Sequence, residues 1–218
     1  MELNKKFFKD IILRLIPLFE YERDYLSQLD SDIGDGDHGI NMSIGFREVQ
    51  KQLDKIYEET DDIASFYKKV GMIILGKVGG ASGPLYGSLF MKAGDHVKGK
   101  NTLTFPEFVE FIENGVASIE ARGKAVVGDK TMIDALRPAI DLMKSELGSG
   151  KPEIEIFEDF VNELKAGSDR TIPLIARKGR SMRLGERAIG FRDPGSYSSY
   201  LLYNEVLKEL KNINLDLI

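Results

Sequence analysis

Asp30, Asp32, Asp35 and Asp37 crowd eight positions of the segment DSDIGDGDHG. Carboxylates this close repel one another unless a cation neutralises them, so the spacing points to metal binding. The side chains on offer are hard oxygens, with His38 the one nitrogen nearby, a set that suits magnesium or calcium better than zinc. An EF-hand loop begun at Asp30 needs glycine at its sixth place and glutamate at its twelfth, where the chain has Asp35 and Asn41. Loops begun at Asp32 or Asp35 lack the glycine too, which leaves magnesium in company with phosphate. Asp37 and His38 precede a helical pattern opening at Gly39, which would turn free amide groups and the positive end of a helix dipole toward the same loop. The plainer reading is a solvated turn whose acids merely cap a helix. Gly34, Gly36 and Gly39 argue against it, because closely spaced glycines let the chain curve tightly enough to aim several carboxylates inward.

Glycines also gather in VGGASGP (78–84), RGKAVVGDKT (122–131) and RKGRSMRLGERAIGFRDPGS (177–196), each with polar groups suited to phosphate or metal. Two stretches approach a Walker-type phosphate loop and miss it. GMIILGKV (71–78) ends in Val78 inside an apolar helical run, and GKAVVGDKT (123–131) places Asp129 between glycine and Lys130. GGASG (79–83) instead suits close backbone approach ahead of a helix whose amino end, with the Ser82 hydroxyl, receives a phosphate; a tight helix connection is the alternative. Arg180 offers a charge clamp and Asp193, in the turn RDPGS, a ribose or amine contact. Other catalytic schemes have little to work with, since His38 and His96 are the only histidines and no nucleophile elbow is present.

These loops need a scaffold, and its pattern is helical. Apolar residues recur at helical spacing, as in Phe105, Phe108, Val109, Ile112, Val116 and Ile119, while period-two alternation is scarce. Thr104 with Glu107 forms a capping-box pair, Pro152 marks a helix start, and so do Ser82 and Pro84. The spacing predicts eight helices over roughly 4–25, 39–54, 62–78, 83–97, 105–122, 131–146, 152–167 and 196–211, with a shorter one around 169–178 and a kink at Pro17. One all-α domain over 1–218 is expected, four loops at one end of a bundle making one site. The length of 218 residues and 42% hydrophobic content suffice for a sizeable core. A net charge of −5 with interspersed signs argues against nucleic acid as a partner. The absence of cysteine removes disulfides and suits the cytoplasm, and with neither a signal peptide nor a membrane-length apolar run, a soluble protein is expected.

Taken together, DSDIGDGDHGINM (30–42), GGASGPLYG (79–87), RGKAVVGDKTMIDAL (122–136) and ARKGRSMRLGERAIGFRDPGSYSS (176–199) resemble the L subunit of bacterial dihydroxyacetone kinase, in family order over nearly the whole chain. The resemblance implies an up-and-down barrel of eight antiparallel amphipathic helices with ADP or ATP held at one end. It implies that Asp30, Asp35 and Asp37 coordinate two Mg²⁺, and that His38, Gly39, Ile40, Asn41, Ala81 and Ser82 line the phosphates. Gly123, Met132, Arg180 and the Asp193, Pro194 and Gly195 turn would enclose the nucleoside and outer phosphates, with Arg180 and His38 as the catalytic candidates. Asp32 stands where the family often has glutamate, and Phe191-Arg192 replaces a frequent His-Gln pair beside Asp193. The implied partners are a K subunit holding the hydroxyketone and a phosphohistidine protein of the sugar phosphotransferase system, the M-type phosphodonor, that recharges bound ADP. Direct exchange with ATP, another keto-sugar such as erythrulose, and a nucleotide-binding regulatory protein are the alternatives.

Overall fold

The computed structural model describes residues 1–215, with side chains as far as Ile213. It divides into two compact units, Met1–Ala125 and Val126–Ile218. Among the described residues the protein is all-α, with one two-stranded ribbon.

In the first unit, α1 (Lys5–Tyr21) starts where the Asn4 side chain accepts the Phe7 N–H at 3.1 Å. Its buried residues, Phe7, Phe8, Ile11, Ile12, Leu15, Ile16 and Phe19, form one apolar stripe. Pro17 lies inside this helix, and the chain breaks instead at Glu22 (φ −83°, ψ 1°). Leu13, whose carbonyl Pro17 leaves without a helical donor, lies on the exposed side of α1. The single helix expected over 4–25 is therefore α1 followed by a separate α2 (Arg23–Ile33). Leu26, Asp30 and Ile33 are the buried positions of α2, so the stripe that seats two apolar residues also carries a carboxylate inward.

Then follow α3 (His38–Glu58), α4 (Ile63–Lys77), α5 (Ser82–Ala93) and α6 (Phe105–Gly123). Asp62 caps α4 through the Ser65 N–H at 2.7 Å, and the expected capping box of Thr104 and Glu107 opens α6. α3 packs on α1, α2 and α4, and α5 lies between α4 and α6. A Cβ at Gly87 would come 2.8 to 3.0 Å from Leu75, which is how closely α4 and α5 approach. Aromatic rings of Phe8, Tyr67 and Phe111 meet at 4.9 to 5.4 Å in the core of this unit. Strands β1 (Glu2–Asn4) and β2 (Thr102–Thr104) pair antiparallel, burying Leu3 against Leu103.

The second unit holds α7 (Ile133–Glu146), α8 (Glu153–Arg170) and α9 (Pro194–Leu215), with α8 packed on both others or their ends. No helix forms over 169–178. α8 ends at Arg170, and single i→i+3 bonds follow at Thr171, Ile172 and Leu174, because Pro173 has no N–H to extend the ladder. A 3₁₀ helix comes later, over Arg180–Ala188, interrupted at Gly185 (φ 54°).

Candidate functional site

The aspartate loop is built in the first unit by α2, α3 and the turn between them. Asp30 sits in the last turn of α2, not in the loop, and is buried. Its Oδ2 accepts the Asp37 N–H at 2.9 Å and the His38 N–H at 3.2 Å, folding the turn back on the helix that precedes it. Asp35 is exposed and Asp37 half-buried, yet carboxylate oxygens of Asp30, Asp35 and Asp37 lie within 4.8 Å of one another. Gly34 makes room for this, since a Cβ there would sit 2.2 Å from Asp30 Oδ1. Gly36 adopts φ 75°, a left-handed conformation that glycine takes without strain. Asp32 lies outside the cluster, exposed, and accepts from Gln28 Nε2 at 3.3 Å. Convergent hard oxygens of this kind fit a divalent cation such as Mg²⁺.

His38, Gly39, Ile40 and Asn41 form the first turn of α3, and their amides are less free than the helix start suggested. Asp30 takes the His38 N–H, the Ser27 hydroxyl takes the Ile40 N–H at 3.2 Å, and the Asp37 carbonyl takes the Asn41 N–H at 2.9 Å. The anion-binding capacity of this helix end is thereby reduced, and the carboxylate cluster dominates the loop. Gly39 packs directly on α2, where a Cβ would lie 1.9 Å from the Arg23 carbonyl oxygen. His38 is buried, and burial pushes its imidazole down to about 4, with Asp37 opposing the shift. Its Nδ1 lies 2.9 Å from Ser82 Oγ, joining the starts of α3 and α5. Asn41 is also brought to the glycine loop, 2.6 Å from where a Cβ of Gly79 would be. Ala81 and Ser82 stand at the head of α5, and the exposed Gly123 ends α6 opposite Leu85.

The remaining predicted residues belong to the second unit. Met132 caps α7 and is buried; Asp193, Pro194 and Gly195 open α9. A Cβ at Gly195 would be 3.6 Å from Met132 Cβ, so the starts of α7 and α9 are in contact. Asp193 Oδ2 accepts the Ser196 N–H at 2.6 Å as a helix cap, and the Asp193 N–H donates to Thr171 Oγ1 at 3.0 Å. Arg180 is exposed at the start of the 3₁₀ helix, after Gly179 at φ 71°. Arg192 turns to the Asp169 carboxylate and the Tyr197 ring. Three further residues shape these loops: Ser27 caps Ile40, Asp134 takes the N–H groups of Gly128 and Thr131, and Lys130 is wholly buried. Of these, Lys130 stands in the near-miss phosphate-loop stretch GKAVVGDKT, where Asp129 separates it from the glycine.

Residues 32–208 match the DAK2 domain family. The chain belongs to that family. Its relatives include the "PEP-dependent dihydroxyacetone kinase 2, ADP-binding subunit DhaL" of Listeria innocua, 56% identical over 209 residues and covering 96% of each chain. The "PEP-dependent dihydroxyacetone kinase, ADP-binding subunit DhaL" of Escherichia coli is 36% identical over 198 residues, 91% of this chain and 93% of that one. Among solved structures, the dihydroxyacetone kinase from C. freundii in complex with AMP-PNP and Mg²⁺ superposes with a TM-score of 0.69 at 26% identity. That match covers 92% of this chain and 33% of the other, so this DAK2 domain spans about a third of the solved kinase's length. Among the described residues no helix is long and apolar enough to cross a membrane.

Proposed function

We propose that this chain is the ADP-binding subunit of a dihydroxyacetone kinase, a phosphotransferase that passes the terminal phosphoryl group of its nucleotide to a small hydroxyketone. The observation that carries this reading is the convergence of Asp30, Asp35 and Asp37 beside the start of α3. Relatives of nearly the same length bear names of that activity, and the solved relative holds AMP-PNP and Mg²⁺.

Asp30, Asp35 and Asp37 would hold two Mg²⁺, which when bound neutralise the diphosphate and keep it in line for transfer. Asp30 has one oxygen tied to the loop amides, so its other oxygen is aimed by the fold before any ligand arrives. His38 is neutral at pH 7 and adds no positive charge to compete with a cation; with Ser82 it offers polar contacts on the phosphate side. Gly39, Ile40, Asn41 and Ala81 line that side. Met132, Asp193, Pro194 and Gly195 supply the nucleoside cleft, with Gly123 and Arg180 as further contacts, Arg180 contributing fixed positive charge to the outer phosphates. The reading treats residues 1–218 as one functional domain. Its partners are a K-type subunit that presents the hydroxyketone and a phosphohistidine protein that recharges ADP in place, in the cytoplasm.

Calorimetry with ADP on protein first stripped of bound nucleotide tests the proposal: tight binding is expected with Mg²⁺ and little heat once EDTA removes the metal. Nucleotide released by heating the purified protein should be ADP in near one-to-one amount. Equal ADP affinity with and without Mg²⁺ would refute the aspartate assignment.

A further inference from the structure

The proposed nucleoside cleft, where Gly195 meets Met132, lies beside one buried cation. Lys130 is fully buried at φ 63°. Its Nζ donates to the Thr171 carbonyl at 2.6 Å and the Phe191 carbonyl at 2.6 Å, with the Ile172 carbonyl at 3.4 Å. Lys130 and two of its partners adjoin the proposed nucleoside residues. Lys130 is two residues from Met132, Phe191 is two residues from Asp193, and the Thr171 hydroxyl accepts the Asp193 N–H.

The backbone at this position favours glycine, since a left-handed φ is strained for a residue with a Cβ. Only the side chain can account for lysine here. The Thr171 and Ile172 carbonyls also accept the Leu174 N–H at 3.2 Å and the Gly190 N–H at 2.8 Å, and one ammonium with three N–H groups adds to these by tying the 171–172 segment to Phe191. Burial lowers the Lys130 pKa from its ordinary value, while the carboxylates of Asp193 and Asp134 oppose that shift.

We infer that Lys130 is a positioning residue for the nucleotide, an internal ammonium that locks the Asp193–Pro194–Gly195 turn to Met132. The inference rests on the reading of that cleft as the nucleoside side of the site.

Lys130→Gly relieves the positive φ and opens a channel of the side chain's own shape. Its ADP affinity in the presence of Mg²⁺ should fall at least about tenfold, as misplaced binding groups cause. n-Butylammonium, which replaces the missing stem and charge, should restore most of the loss, and neutral n-butanol should not. Lys130→Met, which keeps the stem without the charge, should remain weak with either additive. Wild-type affinity in these variants, or equal rescue by butanol, would overturn the inference. Should neither variant fold, the wild-type Lys130 Nζ resonance decides: it should exchange slowly and shift when ADP and Mg²⁺ bind, and a resonance that ignores the nucleotide counts against the role. Wild-type protein that binds no ADP would instead strike the nucleotide reading itself.

Discussion

The aspartate loop at 30–39 and the loop at 126–134 use the same residue types to opposite ends. Both are rich in glycine and aspartate, and both join or precede helices. In the second loop the carboxylates are fully engaged with backbone: Asp129 takes the Val126 N–H at 3.0 Å, and Asp134 takes those of Gly128 at 2.6 Å and Thr131 at 2.7 Å. In the first loop Asp30 is used in this way too, yet three carboxylates lie crowded within 4.8 Å of one another. A loop whose acids satisfy its own amides is structural. A loop whose acids converge on one another stores repulsion that a cation relieves, and that contrast separates ligand chemistry from folding chemistry better than composition does.

The sharpest break of the comparison is a swap of readouts. Asp37→Ala should weaken ADP binding in Mg²⁺ by roughly a hundredfold or more, as loss of a charged ligand in a metal site does, yet leave the urea midpoint almost unchanged or raised. Calorimetry and circular dichroism on the same preparation check both halves; a large loss of stability with intact binding would invert the assignment. Asp134→Ala is the mirror case. Asp134 is buried, and its removal leaves two amides without acceptors, which should cost about 2–4 kcal/mol in denaturant unfolding. Asp134→Asn should recover part of that.

How far these features were visible beforehand follows from their range. Helices α3 to α9 announce themselves because burial repeats within one chain segment, and the Thr104–Glu107 cap is a contact over three residues. The aspartate cluster was equally plain, since its charge density is local. α2 was missed because only three of its positions are buried and one of those is Asp30, so no apolar stripe stands out. The β1–β2 ribbon offers one buried leucine per strand, too little for a period-two signal. Lys130 was unreadable for a deeper reason. Its partners are carbonyls 41 and 61 residues away, and a carbonyl bears no residue identity. The free amides expected at the head of α3 failed likewise, because Ser27 reaches Ile40 from a helix that the pattern did not reveal.

The smallest expected effect comes from a carboxylate that belongs to neither loop and serves as the control for both. Glu107 pairs with Lys100 and accepts the Thr104 N–H at 2.9 Å and hydroxyl at 3.0 Å, contacts that hold its pKa down at about 2 against an ordinary 4.5. Because the folded value is the lower one, the stabilisation is fully present above the ordinary value and is lost as pH falls from about 4.5 toward about 2. The side chain is partly solvated, so the effect stays near the ~1 kcal/mol of a helix cap. Wild type should therefore exceed Glu107→Gln in urea midpoint at pH 6, and the gap should narrow below about pH 4.5 and close near pH 2, while other acid-induced losses affect both proteins alike. A gap independent of pH would mean that Glu107 acts through shape and neutral hydrogen bonds, in contrast to the carboxylate charge on which the aspartate loop depends.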